Sequence, residues 1–596
     1  MDAILEDATI HQRRQTLHMM TNGFGLDDAY STTMSRIREQ KGNKAKLGMG
    51  ALMWISHAER PLKAEELCHA LAVEEGTTDL NAHNIPSIRT LLSCTLGLVT
   101  IDERASTIRL IHFSLQEYLT AHPNLFITPH STIAEVCLTY LNFQSICELP
   151  TTVDTIPSKT PFLHYASCYW GFHTRKEMTE GVKYLALRHL QRNSNHISAA
   201  ILLREESVDF LSWWNRFTRR RPNLQGFTGM HCIAYMGITE IAIDMVNMKK
   251  WDLNGRDSNG ATPLIWAAKY GNVTLANLLL QQAAVDPTLS DKKGLTPLTH
   301  AAKARQVEVV KLLLDREDFD PDLSDGKGRT PLSYAAESRH EGVVEMLLER
   351  DVNPDSSDRD GKTPLSYAAS SGDKGVVKML LERGDVNPDP SDEYGRTPLS
   401  YAAEGDHEGV VKMLLEREDV DPDSSDRNGC TPLFIAAGSG CVGSIKMLLE
   451  REDVDPDSSA VTGQTPLSYA AQSGHEDVVK MLLEQEDVDP DLWDEDGRTP
   501  LSYAAQSGHE GVVKVLLDRG HVDPDSCYSD DRTPLSYATE SGHEGVVKIL
   551  LERGDADPYW YDGDGWTPLS YAAESGHEGV VNMLQRYMDD NPDSSD

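Results

Sequence analysis

The sequence predicts a mostly α-helical chain: a solenoid of about eleven helix–turn–helix units with projecting hairpins, preceded by a small domain of helices with a two-stranded wing and by a helical connector. Three observations predict it. Thr-Pro-Leu recurs with its Thr at 262, 296, 330, 363, 397, 431, 465, 499, 533 and 567, steps of 34 residues with a single 33. Such a period marks a stacked repeat architecture. Hydrophobic residues make up 39 % of the 596 positions and charged residues 25 %, enough for a folded core throughout. The repeat pattern stops near residue 225, and a different helical pattern precedes it.

Charge divides the chain at the same place. Residues 1–225 carry 23 basic and 23 acidic side chains, whereas 226–596 carry 33 and 70, so the net charge of -37 belongs to the repeats. A surface this acidic repels phosphate backbones and anionic membranes. The nine cysteines are dispersed, without a CxxC pair, and read as reduced thiols inside the cell. The N-terminus lacks a secretory h-region, and no apolar run reaches the length of a membrane span. A cytoplasmic protein is expected, with a nuclear location left open.

From the N-terminus, 1–46 reads as a helical remnant, with LDDAYSTTMSRIREQ as its last helix. In 47–122, Leu47 to His57, Lys63 to Leu71 and Ile85 to Leu96 read as helices. Leu98 to Asp102 and Ile108 to Phe113 then form two strands around a Glu103–Ser106 turn, which makes this a winged-helix domain. Residues 123–225 form the helical connector, with AEVCLTYLNFQ as an amphipathic helix and a Thr/Pro-rich break at 149–161. Trp213, Trp214 and Phe217 are expected to cover the first repeat. Arg219-Arg220-Arg221 is either a solvated helix end or a nuclear signal.

Residues 226–590 form the repeat domain. One step back from Thr262 lands on Thr228, opening the divergent Thr228-Gly229-Met230-His231 and giving eleven units. In each, Thr caps a helix and Pro suits its first turn, as at Thr330 and Pro331. Leu332, Ala335 and Ala336 give a short helix whose small residues allow close approach. After a break, Val343, Val344, Leu347 and Leu348 form the apolar face of a second helix. Asp360-Gly361, Asn428-Gly429 and Asp496-Gly497 mark tight turns. A unit of this size cannot bury its apolar face alone, so stability is a sum of unit and neighbour terms.

Thr-Pro-Leu-x-x-Ala-Ala…Gly-His…Val-Val…Leu-Leu resembles the ankyrin repeat. The resemblance implies a curved solenoid whose concave face and finger tips bind a protein. The expected His after Thr-Pro-Leu survives only as His231; Ser333, Ser366, Ser400, Ser468, Ser502, Ser536 and Ser570 replace it. Tyr follows that Ser, as at Tyr334, Tyr367 and Tyr401, giving a ladder of rings that serves either packing between repeats or a binding face. GALMWISHAERPLKAEEL…LGLVTIDERASTIRLIHFSLQEYL is similar to the winged helix that follows the nucleotide-binding module in large fungal NACHT–ankyrin proteins, and to that of GPI inositol-deacylase-like proteins. By that resemblance His112 corresponds to a nucleotide-phosphate contact. No GxxxxGK[ST] is present, so the role is expected to be vestigial, with His112 packing or capping the strand-to-helix turn.

Other chemistries fail on their spacing. NIPSIRTLLSCTL offers DNA one basic residue, Arg89. His407, His475, His509, His543 and His577 lie one repeat apart, too far to share a zinc, and read as turn caps. The acidic DVDPDSSD stretches do not fit a calcium loop, and no GxSxG elbow or cysteine-protease signature appears. The sequence therefore predicts no enzyme, catalytic residue, metal or cofactor. It predicts a scaffold for a protein partner with a basic surface, with Tyr394, Trp493, Tyr528, Tyr559, Trp560 and Tyr561 as candidate contacts at the finger tips. The alternative is the C-terminal sensor of a NACHT-type signalling NTPase, acting with a nucleotide-binding module that this chain lacks.

Overall fold

The computed structural model describes residues 26–102, 104–151, 158–192, 196–206, 223–316, 319–519, 522–527, 531–553 and 556–591. It divides into two compact bodies, residues 1–292 and 293–596. In the first, helices α1 (Leu26–Arg38), α2 (Lys44–His57), α3 (Ala64–Leu71) and α4 (Ile88–Cys94) precede an antiparallel pair, β1 (Val99–Asp102) and β2 (Thr107–Leu110). Helix α5 (Phe113–Ala121) follows. This is the expected winged helix, its wing paired Val99 to Leu110 and Asp102 to Thr107. Leu52, Trp54, Leu67, Leu91, Ile108 and Leu115 form its core, each contributing roughly 1.5–3 kcal/mol by leaving water. Helix α1 packs on this core: Tyr30 Oη lies 2.8 Å from Ser114 Oγ, and Gln40 Nε2 donates to Cys94 O at 2.7 Å.

The connector contains α6 (Pro129–Leu141), α7 (Gln144–Cys147), α8 (Leu163–Lys176), α9 (Glu180–Leu190) and α10 (Ile197–Glu206). The segment expected to be amphipathic is instead a central helix: α6 contacts α2, α8 and α9, and Ile133, Ala134, Cys137, Leu138, Tyr140 and Leu141 are all buried. Its last residues, Asn142 to Gln144, leave the helix, and Asn142 Nδ2 donates to both Leu138 O and Leu185 O. Trp213, Trp214, Phe217 and Arg219–Arg221 lie outside the described residues. The described link from connector to first repeat is Lys183 to Asp244 at 2.7 Å, with Gly171 lying so close to Met236 that a Cβ would sit 2.3 Å from its Sδ.

Eleven helix pairs follow, from Gly229–Met236 with Thr239–Asn247 to Pro568–Glu574 with Glu578–Asp590; two belong to the first body and nine to the second. In the Thr330 unit, Thr330 Oγ1 accepts the Ser333 N–H and Pro331 opens the helix, as the sequence predicts. Leu332, Ala335, Ala336, Val343, Val344 and Leu347 are at most 1 % exposed. The turn glycines Gly361, Gly429 and Gly497 all adopt positive φ. His231 bonds forward to Gly255 O and Ala261 O at 3.1 Å, whereas the serines at the corresponding places reach only their own capping Thr.

The repeated histidines, expected as turn caps, reach the preceding unit instead: His407, His475, His509 and His577 make no side-chain bond to their own helix start. Nε2 of His407, His475, His509, His543 and His577 lies 3.0–3.1 Å from a carbonyl of the preceding unit. Each ring fills the space where the preceding unit's turn glycine has no Cβ: a Cβ on Gly508 would meet His543 Nδ1 at 2.6 Å. Where another residue replaces the glycine, the lock is not made. Arg305 occupies the left-handed position, and the next histidine, His340, turns to cap its own helix. Arg339 and Asp406 occupy the same position, and Asp373 and Cys441 stand in the units that follow. We expect Gly508→Ala to destabilise the chain by about 2 kcal/mol, from left-handed strain plus the clash. In a His543→Ala background only the strain remains, about 1 kcal/mol. A double-mutant cycle in urea checks this; equal costs in both backgrounds would disprove the steric lock.

Candidate functional site

The finger of most units is shaped by one aspartate. Asp325 Oδ1 accepts the N–H groups of Lys327 and Arg329, closing the turn, and Oδ2 accepts the Tyr334 hydroxyl at 2.8 Å. Asp358 with Tyr367, Asp392 with Tyr401, Asp494 with Tyr503 and Asp562 with Tyr571 repeat the pair, and in the first body Asp257 accepts Trp266 Nε1 at 3.0 Å. Burial, and then the bond to the carboxylate, pushes the Tyr334 hydroxyl up to about 12.

Basic groups enter the tyrosine ladder. Arg329 lies 3.9 Å from the Tyr334 ring centre and 4.1 Å from that of Tyr367; Arg532 stands 4.4 Å from both Tyr537 and Tyr571. Each such cation–π contact is worth about 0.5–2 kcal/mol. Arg329 and Arg396 also pair with Glu337 and Glu404 at 2.6 and 2.5 Å. In the Thr431 unit Phe434 takes the serine's place and Ile435 the tyrosine's, and Phe434 stacks on Tyr469 of the next unit at 4.8 Å. The ladder therefore packs repeat against repeat. It also walls an open groove of about 380 Å³ lined by Glu337, Arg339, Lys362, Ser366, Tyr367 and Tyr401.

The candidate tip residues fall into three groups. Tyr394, Trp493 and Tyr561 are 59 %, 49 % and 71 % exposed. Tyr559 and Trp560 are half-buried, and the Trp560 ring N–H donates to Asp531 O of the preceding finger at 2.8 Å. Tyr528 lies outside the described residues. Trp493 and Tyr561 share one place in the finger, immediately before its aspartate. Ser290, Ser324, Ser357, Ser391, Ser425 and Ser459 hold that place in earlier units, and Cys527 between the two aromatics.

Beneath the fingers runs a second row of acids. Oδ2 of Asp322, Asp355, Asp389, Asp423, Asp457 and Asp491 accepts an N–H from the next unit, at 2.8–3.2 Å. The other oxygen of each is buried without a partner. Burial raises the pKa of all six, that of Asp457 to about 6.

In the winged helix, His112 is the N-cap of α5: its Nδ1 accepts the Ser114 N–H at 3.2 Å. It borders an open groove of about 380 Å³ that also includes Glu59, Arg60, Arg109 and the exposed Phe113. Arg60 forms a bidentate pair with the buried Glu66, at 2.8 and 2.7 Å, and lies over Tyr165 of the connector. Nearby, a cluster that sequence reasoning missed brings together Glu59, His130 and His173, with His173 fully buried. Burial holds His130 below its usual value and His173 down near about 3, so both rings are neutral. His130 and His173 are 43 residues apart with no motif spacing, so only the packing of α6 on α8 reveals them. No helix among the described residues is long and apolar enough to cross a membrane.

Stacked helix pairs with hairpin fingers, locked unit to unit, define a repeat scaffold for protein interaction behind a winged helix. Family models for ankyrin repeats match overlapping segments across 280–596, and another ankyrin model matches 247–301. The first span exceeds half the chain, which therefore belongs to the ankyrin-repeat family. The model described as the GPI inositol-deacylase winged helix domain matches 32–125. A comparison with curated proteins found no match.

The buried aspartates give the array a defined pH response. Their folded-state pKa lies above the unfolded value, so their charging opposes folding: their own contribution to stability is greatest below about pH 4 and is lost as pH rises, for Asp457 through about 6. We expect Asp457→Asn, which keeps the acceptor for Asp489 N–H, to raise the urea midpoint at pH 7.5 and to change it little at pH 4.5. An unchanged midpoint at pH 7.5 would contradict this.

Proposed function

We propose that this chain is a non-enzymatic scaffold in the cytoplasm that captures a protein partner with a basic surface. The carrying observation is the placement of Trp493 and Tyr561 on equivalent, exposed finger positions two units apart, where six earlier units present serine. Exposed aromatics of this kind are frequent energetic anchors of interfaces. The 70 acids against 33 bases of residues 226–596 supply steering for a cationic partner. Tyr394 and the groove beside Tyr367 extend the surface towards the middle of the array. Trp560, tied to Asp531 O, serves the finger itself.

The test compares proteins retained by the full chain and by a Trp493→Ser/Tyr561→Ser variant with an unchanged melting temperature. The variant is expected to lose, at least tenfold, a partner whose retention falls with salt. Identical retained proteins would remove the finger-tip surface from consideration.

A second reading is supported by the winged helix, where Ile111 and Phe113, flanking His112, are 57 % and 69 % exposed. Such an apolar rim suits packing by a further module, as in a NACHT-type signalling assembly. Blotting native cell extract with an antibody to the repeats separates the two. A band near 66.1 kDa supports a free-standing scaffold. A much larger one carrying the same peptides supports the sensor of an NTPase.

A further inference from the structure

The cluster at the junction of winged helix and connector plays no part in partner capture by the fingers. Glu59 follows α2, His130 lies in the first turn of α6 and His173 in the last turn of α8. Their ligand atoms lie within 4.8 Å of one another, and this is the one such group among the described residues. The histidines meet nitrogen to nitrogen, Nδ1 to Nδ1, at 2.9 Å. Tyr165 Oη lies 2.9 Å from His173 Nε2 and accepts the Glu59 N–H at 3.1 Å. Glu177 Oε2 accepts the Ser131 N–H at the start of α6, fixing the turn that carries His130. Glu59 is neutralised by Lys176, 2.6 Å away, whose side chain is half exposed.

We infer that Glu59, His130 and His173 bind one divalent first-row metal ion, zinc by its ligand chemistry, which ties the winged helix to the connector. Two imidazole nitrogens and one carboxylate are a zinc donor set with bonds of about 2.0–2.2 Å and a fourth position for water. Calcium and magnesium prefer all-oxygen shells. Two nitrogens on one tetrahedral ion stand roughly 3.3 Å apart, so the rings need separate by only a few tenths of an ångström.

The outer contacts suit this site. Tyr165 Oη and His173 Nε2 share one hydrogen bond, whose direction follows the tautomer of the His173 ring. With a metal on Nδ1 the ring proton is on Nε2, which donates to the Tyr165 oxygen. The tyrosine thus orients the ligand ring in either state. Lys176 is the one group displaced, and it can swing into solvent.

The test titrates zinc chloride into the untagged full chain against a chromophoric chelator, with thermal melting alongside. One tight equivalent is expected, above weak binding by the acidic repeats. His130→Gln and Glu59→Gln should each weaken it at least about tenfold, the scale on which even outer partners matter. Lys176→Met should strengthen it, and zinc should raise the melting temperature of the parent protein but not of His130→Gln. Both ligand variants lie at partly exposed positions, and Glu59 is in a loop, so either reports if the other misfolds. Absence of a tight equivalent, or equal zinc affinity in the parent and a folded ligand variant, overturns the inference.

Discussion

Most fingers depend on one aspartate whose two oxygens do different work. At Asp358 one oxygen gathers the N–H groups of Asp360 and Lys362, and the other takes the Tyr367 hydroxyl. The turn and the first helix of the same unit are thereby joined through one side chain. The tyrosine ring, held in place by its hydroxyl, becomes the surface on which a cation settles. Arg329 bridges two such rings and pairs with Glu337. A deletion at the aspartate would therefore be felt at four groups, because a buried network loses more than a single bond when one member leaves.

The units communicate through a second set of contacts that do not involve this network. A histidine ring enters the space left by the preceding glycine, an aspartate oxygen accepts the next unit's N–H, and small alanines let first helices approach. Local terms of this kind make stability grow by neighbours. The buried, unpartnered aspartate oxygens oppose that gain at neutral pH. Together with the net charge of -37, they set the array against itself as pH rises.

What the sequence shows and what it hides follow from range. The Thr caps, Pro at the first turn and Gly at the finger turn act within a few residues, and all are legible from order alone. The wing was legible because apolar alternation and its turn lie together between Leu98 and Phe113. The histidines' true partners were not, since His543 acts on Gln506, 37 residues earlier, and a repeat reads the same whether a contact is made within a unit or across units. Helix α6 misled for a related reason: AEVCLTYL has polar residues on one side, but α2, α8 and α9 surround it, and Asn142 satisfies its amide inside the fold. Glu59, His130 and His173 come from three elements, and no spacing announces them.

Because the units are near copies, each serves as a reference for the others, and departures carry meaning without any relative to compare. The finger aspartate gives way to Ala460 in one unit and to Tyr528 in another; the arginine four residues after it gives way to Trp566 in the last. The serine before it becomes Trp493, Cys527 and Tyr561 in three successive units. Trp493 and Tyr561 keep 49 % and 71 % of their surface in water, and burying such a ring against a second protein removes apolar area from water. The aspartate–tyrosine pair forms in units with serine at that place, as at Asp325 and Tyr334, Asp358 and Tyr367, and Asp392 and Tyr401. Under the function proposed above, the exposed aromatics of the C-terminal units are the places at which a partner would be anchored.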